Sequence, residues 1–343
     1  MNPIGKFFVA LLSLALAGRA ESACRMNKAA TFHVTVEDNR IFVPGTINGT
    51  PVKFILATDI ESLILPVPAH DLGLLIMVGA RLEPIIYAEE VGATGPVKVA
   101  ELTVGGTARI ENMVMHVIGR RMNFGQKGEI AVLGRDFLAS YDVEFNLPAN
   151  EVTLYRSENC SGTNLAYWTE RYNVLEMERH LRTVRVKAQV NGHEVVADFN
   201  SANPYSALSI DTARQLGVTP AAKGGEEVPD SRDFLADVPI ATWKVPFDSF
   251  RLDQETVHPV DLRIRKLTVP PPLLHPFRVY WDSETGYARP EQEFVPGTRA
   301  EDHGADLSLG VDFLRTHRTL IAYSQRLVYF SHVEGQPFLA EGP

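Results

Sequence analysis

The sequence predicts an all-β protein built from two related halves with a few short helices, and three observations carry that prediction. Apolar and polar residues alternate, or β-branched residues cluster, over Phe32 to Val36, Thr183 to Val190 and Glu194 to Val196, the pattern of half-buried strands. Asn48-Gly49 and Asn191-Gly192 are hairpin-turn dipeptides, since Asn and Gly adopt left-handed backbone at least cost. The third observation is a repeated order of signals. One copy runs Ile47-Asn48-Gly49, Ala57-Thr58-Asp59, Ala69-His70-Asp71-Leu72-Gly73 and, far downstream, Leu133-Gly134-Arg135-Asp136-Phe137-Leu138. The other runs Val190-Asn191-Gly192, Asn200-Ser201-Ala202, Ala213-Arg214-Gln215-Leu216-Gly217 and Leu309-Gly310-Val311-Asp312-Phe313-Leu314.

Helical pattern is sparse. Pro68 to Leu72 and Ile210 to Leu216 each predict one short helix ending at a glycine, Gly73 or Gly217. Phe137-Leu138 and Phe313-Leu314 are expected to start another in each copy, placing Asp136 and Asp312 near helix starts, where carboxylates are favourable. The offset between copies is 143 residues at Asn48/Asn191, 144 at Gly73/Gly217 and 176 at Gly134/Gly310, so the second copy holds an insertion, placed near 265–305. That segment carries Pro270-Pro271-Pro272 and Tyr280-Trp281; a loop so long is functional or disordered, and its aromatics favour a cover or contact surface. The expected divisions are a signal peptide over 1–20, an N-terminal half over 21–157, a connector over 158–180 and a C-terminal half over 181–343. The connector's Tyr167-Trp168 and Tyr172 predict docking rather than a free linker.

The 343 residues suffice for two cores, and 45% hydrophobic with 22% charged residues is a globular composition. The net charge of −9 argues against nucleic acid or an anionic membrane as partner. Lys6, the apolar run Phe7 to Leu16 and Gly18-Arg19-Ala20 read as a leader for export to the periplasm or beyond, with no integral membrane segment in the mature chain. In an oxidising compartment the two cysteines, Cys24 and Cys160, are candidates for one disulfide tying the mature N-terminus to the connector, credited with roughly 4 kcal/mol by loop entropy. No metal-ligand spacing surrounds either cysteine, and neither metal nor cofactor is expected.

The repeated frame resembles the aspartic proteases, most closely the bacterial retropepsin-like group, over nearly the whole mature chain. The resemblance implies a two-lobe pepsin/retropepsin-like acid-protease fold. In that family Asp-Thr-Gly or Asp-Ser-Gly stands at the positions of Ala57-Thr58-Asp59 and Asn200-Ser201-Ala202. The register is fixed from the turn side, because Gly49 to Ala57 and Gly192 to Asn200 are both eight residues. It is checked from the downstream glycines, seventeen residues from Asn200 to Gly217 and sixteen from Ala57 to Gly73. Asp198 falls two residues early.

Aspartic protease chemistry needs two carboxylates sharing one proton, one acting as base on water and the other as acid toward the carbonyl. Ala57 has no polar atom, and Asn200 holds water but takes no proton from it. The expectation is therefore a pseudo-enzyme whose cleft binds a peptide or protein ligand. Thr58 and Ser201 keep the family's bracing hydroxyls, and Gly134 and Gly310 its second signature. Asp59 replaces a glycine, with an expected left-handed backbone cost. Cleft-covering hairpins are expected over Tyr87 to Val99, turning at Gly92-Ala93-Thr94-Gly95, and over Asp237 to Phe247 with Trp243; for Tyr87 and Trp243 core packing is the ordinary alternative. A second reading keeps activity through the displaced acids Asp59 and Asp198. A third makes the chain an assembly component using the 265–305 insertion. The sequence leaves the oligomeric state open.

Overall fold

A computed structural model describes residues 23–64, 69, 72–77, 83–87, 90–118, 129–178, 183–220, 224–229, 231, 239–267, 279–282, 287–290, 304–335 and 337–338. The expected leader and most of the helix expected over Pro68 to Leu72 lie outside them. In chain order the first copy supplies β1 (Arg25–His33), β2 (Thr35–Glu37), β3 (Arg40–Ile47), β4 (Thr50–Leu56), β5 (Leu63–Ile64), β6 (Glu83–Tyr87), β7 (Glu90–Val104), β8 (Ala108–Ile118), β9 (Glu129–Leu133), β10 (Asp142–Asn146) and β11 (Glu151–Glu158). β12 (Asn173–Glu176) lies in the connector. The second copy supplies β13 (Arg185–Val190), β14 (His193–Phe199), β15 (Ala207–Ser209), β16 (Glu226–Glu227), β17 (Thr242–Phe247), β18 (Phe250–Leu252), β19 (Glu255–Val257), β20 (Val260–Arg265), β21 (Val279–Asp282), β22 (Tyr287–Pro290), β23 (Leu307–Leu309), β24 (His317–Ala322) and β25 (Leu327–His332). The described α-helices are Arg135–Leu138, Ile210–Gln215 and Val311–Leu314. The chain is all-β with short helices.

The two copies fold alike. Asn48 and Asn191 take left-handed backbone (φ 49° and 51°) in the β3–β4 and β13–β14 hairpins. Each side-chain Oδ1 accepts two backbone N–H groups, from Ala100 and Glu101 in one copy and from Asp248 and Ser249 in the other. In the first copy β4 runs parallel to β9, β5 antiparallel to β9, and β5 parallel to β8. In the second, β14, β15, β23 and β20 repeat that arrangement. These pairings organise an eight-stranded and a nine-stranded sheet. A third sheet, ordered β1-β11-β10-β24-β25-β12, draws strands from both copies and the connector, so divisions at 157 and 181 cut through it. The principal core is continuous through the halves and includes Phe32, Phe54, Phe145, Phe199, Phe250 and Phe313, each at most 1% exposed.

Helix ends follow local chemistry. Ser209 caps Ile210–Gln215 by accepting from the Asp211 N–H, and Gly217 at φ 71° ends it. The helices at Arg135–Leu138 and Val311–Leu314 begin directly after Gly134 and Gly310, so Phe137-Leu138 and Phe313-Leu314 close these helices instead of starting them.

Two expected hairpins are corrected. Tyr87 pairs with Glu90, so the first reverses between them; Gly92 to Gly95 lie inside β7, with Thr94 paired to both Glu83 and Ile118. Ladder neighbours on both sides outweigh the turn preference of the glycines. The Tyr87 side chain lies outside the described residues. Likewise Thr242–Phe247 is a single strand between β16 and β20, where Trp243 packs half-buried against the core. Of the insertion, the β21–β22 hairpin is described, with Val279 to Asp282 paired antiparallel to Tyr287 to Pro290.

Candidate functional site

Strands β4 and β14 deliver the two triplets to one point. Ala57 N–H donates to Leu133 O at 3.0 Å and Asn200 N–H to Leu309 O at 2.9 Å, so each triplet is anchored equivalently to its parallel neighbour strand. The next residues lock the copies together. Thr58 Oγ1 donates to Phe199 O at 2.5 Å and accepts from Ser201 N at 3.1 Å. Reciprocally, Ser201 Oγ donates to Leu56 O at 2.8 Å and accepts from Thr58 N at 3.2 Å. Both hydroxyl side chains are fully buried. These four crossed bonds fix β4 and β14 with positions 57 and 200 beside each other.

A second pair of contacts holds each triplet's following loop. Ser62 Oγ donates to Asp136 Oδ1 at 2.7 Å and accepts from Gly134 N at 2.8 Å; Ser206 Oγ does the same with Asp312 Oδ1 and Gly310 N at 2.7 and 2.9 Å. The carboxylates are structural: Asp136 also accepts from Ser62 N, and Asp312 from Ser206 N and Phe313 N. Burial raises the Asp312 pKa above the ordinary carboxylate value. Gly134 and Gly310 are required by close passage. A Cβ on Gly134 would stand 2.3 Å from Glu61 C, and one on Gly310 2.7 Å from Asn203 O.

At the centre the copies differ. Ala57 is buried in an apolar cluster with Phe42, Ile55, Leu63, Val132 and Ala202. Asn200 Oδ1 accepts from Ala202 N and Asn203 N, both at 3.1 Å, leaving Nδ2 to donate to Asp59 Oδ2 at 2.7 Å. Asp59 thus reaches from the first copy onto Asn200 of the second. Its backbone is not left-handed, which corrects the cost expected there. The Asp59 carbonyl accepts from Arg135 Nη1 at 2.8 Å, and Arg135 Nη2 approaches Glu61 Oε1 at 3.5 Å.

Asp198 faces the same electrostatic neighbourhood. Burial pushes Asp59 up to about 6, opposed by its backbone hydrogen bond, the Arg135 charge and the Asn200 bond. Burial and then repulsion by Asp59 push Asp198 up to about 7, against the Ser308 hydrogen bond and the Arg185 charge. Both carboxylates keep a shielded Oδ1 with no hydrogen-bond partner. The centre therefore offers a carboxylate held by a carboxamide, with a second carboxylate nearby.

Sequence reasoning identified Ala57, Thr58, Asp59, Asn200 and Ser201, and the structure brings all five together. It overlooked Ser62 and Ser206, although they share the 144-residue offset of Gly73 and Gly217. It also overlooked Arg135, whose counterpart is Val311, so the repeat carries no trace of it. Remote from the centre, Cys24 and Cys160 form a disulfide, and the connector packs through Cys160, Leu165 and Ala166 on Tyr155, Leu320, Ala322 and Tyr329. Among the described residues no group of three or more His, Cys, Asp or Glu is arranged to hold a metal ion, and no helix is long and apolar enough to cross a membrane. Comparison with protein-family models and with curated proteins finds no match to this chain.

Proposed function

We propose that this chain is an exported, aspartic-protease-like protein of two lobes that has lost catalysis and binds an extended peptide or protein segment in the cleft between them. The observation that carries this reading is the crossed hydroxyl brace of Thr58 and Ser201 beneath two positions that lack a carboxylate. A brace of this kind sets two side chains face to face, the arrangement a proton-sharing acid pair needs. Here it presents a methyl group and an amide, and the amide's lone acceptor is already occupied by two backbone N–H groups. Loss of a general base alone costs about 10² to 10⁴ in rate, and the acid partner is missing as well. Strand edges still support main-chain pairing with an extended segment after the chemistry is gone. Incubating the mature protein with a mixed peptide library at pH 4 to 7 and analysing retained and free fractions by mass spectrometry tests this. Retention of intact peptides is expected; cleavage, or no retention at any pH, contradicts it.

The displaced acids favour a second reading to one degree: Asp59 and Asp198 have raised pKa values in the range useful to a general acid and base. Against it, Asp59 Oδ2 is taken by Asn200 and each Oδ1 is shielded, leaving no seat for an attacking water. If cleavage is seen and Asp59→Asn or Asp198→Asn abolishes it, this reading replaces the first.

A further inference from the structure

The Asn200 amide cannot turn over, because its Oδ1 is held by the backbone N–H groups of Ala202 and Asn203. Its Nδ2 therefore has a fixed direction, and Asp59 Oδ2 stands there at 2.7 Å. A ligand oxygen approaching Asn200 would need the donor that Asp59 already takes. A carboxylate makes about twice as strong an acceptor contact as a neutral carbonyl, so a peptide group competes at a disadvantage. Ala57 beside it is fully buried and has no polar side-chain atom to offer instead. The short loop that carries Asp59 is held on both sides. Thr58 before it is locked in the crossed brace, and Ser62 after it is bound to Asp136 through both N–H and Oγ. Between them Arg135 Nη1 donates to the Asp59 carbonyl at 2.8 Å.

The second copy supplies the comparison. Ala202 stands where the first copy has Asp59, and Val311 where it has Arg135. The reaching carboxylate and the guanidinium that holds its backbone occur together in one copy and are absent together from the other. The brace requires neither, since its four bonds run through Thr58 and Ser201. We propose that Asp59 is an autoinhibitory plug: its carboxylate occupies the place beside Asn200 that a ligand's main-chain oxygen would take, and Arg135 keeps it there. This rests on the reading of the cleft as a peptide site. It adds that the natural chain holds its ligand by the flanks of the cleft while the centre stays shut, and that displacing Asp59 opens the centre.

Two measurements test this on the whole mature protein, on Asp59→Ala and on Arg135→Met. The fold already carries alanine at position 202, so Asp59→Ala keeps the test decisive if Arg135→Met does not fold. The first measurement is exchange of the Asn200 carboxamide protons with water by NMR, the signal being assigned by its loss in Asn200→Asp. Exchange about tenfold or more faster is expected in Asp59→Ala, with an intermediate rate in Arg135→Met. The second is retention of a mixed peptide library on the immobilised proteins. Half-saturation at about tenfold lower peptide concentration is expected for Asp59→Ala, the gain from one hydrogen bond set free. Equal exchange in Asp59→Ala and the natural chain overturns the proposal, because Asp59 then shields nothing. Faster exchange with unchanged half-saturation also overturns it, since the contact then blocks no ligand. Retention by neither chain contradicts the peptide reading and the inhibitory role with it, and the exchange rates then show separately whether Asp59 shields Asn200.

Discussion

Asn200 shows how one side chain serves its own turn and the other copy at once. Its Oδ1 takes the backbone N–H groups of Ala202 and Asn203, as an acidic side chain there would, while its Nδ2 adds a donor that captures Asp59. Asp59 and Asp198 then leave a measurable trace in stability. Their folded pKa values, about 6 and about 7, lie above the ordinary 3.8, so between these limits the folded state binds more protons than the unfolded one. Stability should be fully present below about pH 4 and fall as pH rises through 6 and 7, by a few kcal/mol in order of magnitude. Urea unfolding midpoints across that range check this, and Asp198→Asn should flatten the slope; a stability that rises from pH 4 to 7 contradicts the assignment. Thr58→Val strands Phe199 O and Ser201 N in a buried site and should cost about 1–3 kcal/mol. Adding Ser201→Ala should cost less than the sum, since both residues act in one network.

At the scale of elements, the two loops that pass under Gly134 and Gly310 define the site's frame. Gly134→Ala places a Cβ against backbone atoms of Ile60, Glu61 and Ser62, none of which can rotate away. We expect at least about 2–3 kcal/mol of destabilisation by equilibrium unfolding, and a smaller loss for Gly310→Ala, whose nearest contact is 2.7 Å. Equal stability of Gly134→Ala and the natural chain would show that the close passage is absent. These glycines were legible because the motif repeats; their reason was not, since Glu61 and Asn203 are far away in sequence. The Asn-Gly turns were legible because left-handed backbone has few tolerant residues. The Gly92 to Gly95 turn misled for the converse reason: turn-forming residues were read locally, while cross-strand pairing on both sides decided.

For the whole molecule, repetition exposed the all-β class and the paired triplets, but not the sheet that joins the halves. That sheet pairs β10 with β24 and β12 with β25, contacts across about half the chain that no local period records. Asp59 meeting Asn200 escaped for the same reason: the register predicts two empty positions, and only folding shows a neighbour leaning into one. The disulfide closes a separation of 136 residues, so Cys24→Ser with Cys160→Ser should lower stability by up to about 4–5 kcal/mol, measured with and without reductant. The central proposal is that the Thr58–Ser201 brace carries no proton-sharing acid pair and the chain no proteolysis. Its most direct test compares cleavage of a mixed peptide library at pH 4 to 7 by the natural chain and by Ala57→Asp/Asp59→Gly/Asn200→Asp, with circular dichroism confirming that both are folded. The account predicts no cleavage by the natural chain and cleavage, fastest at acid pH, by the substituted one. Turnover by the natural chain that Asp59→Asn abolishes would contradict it.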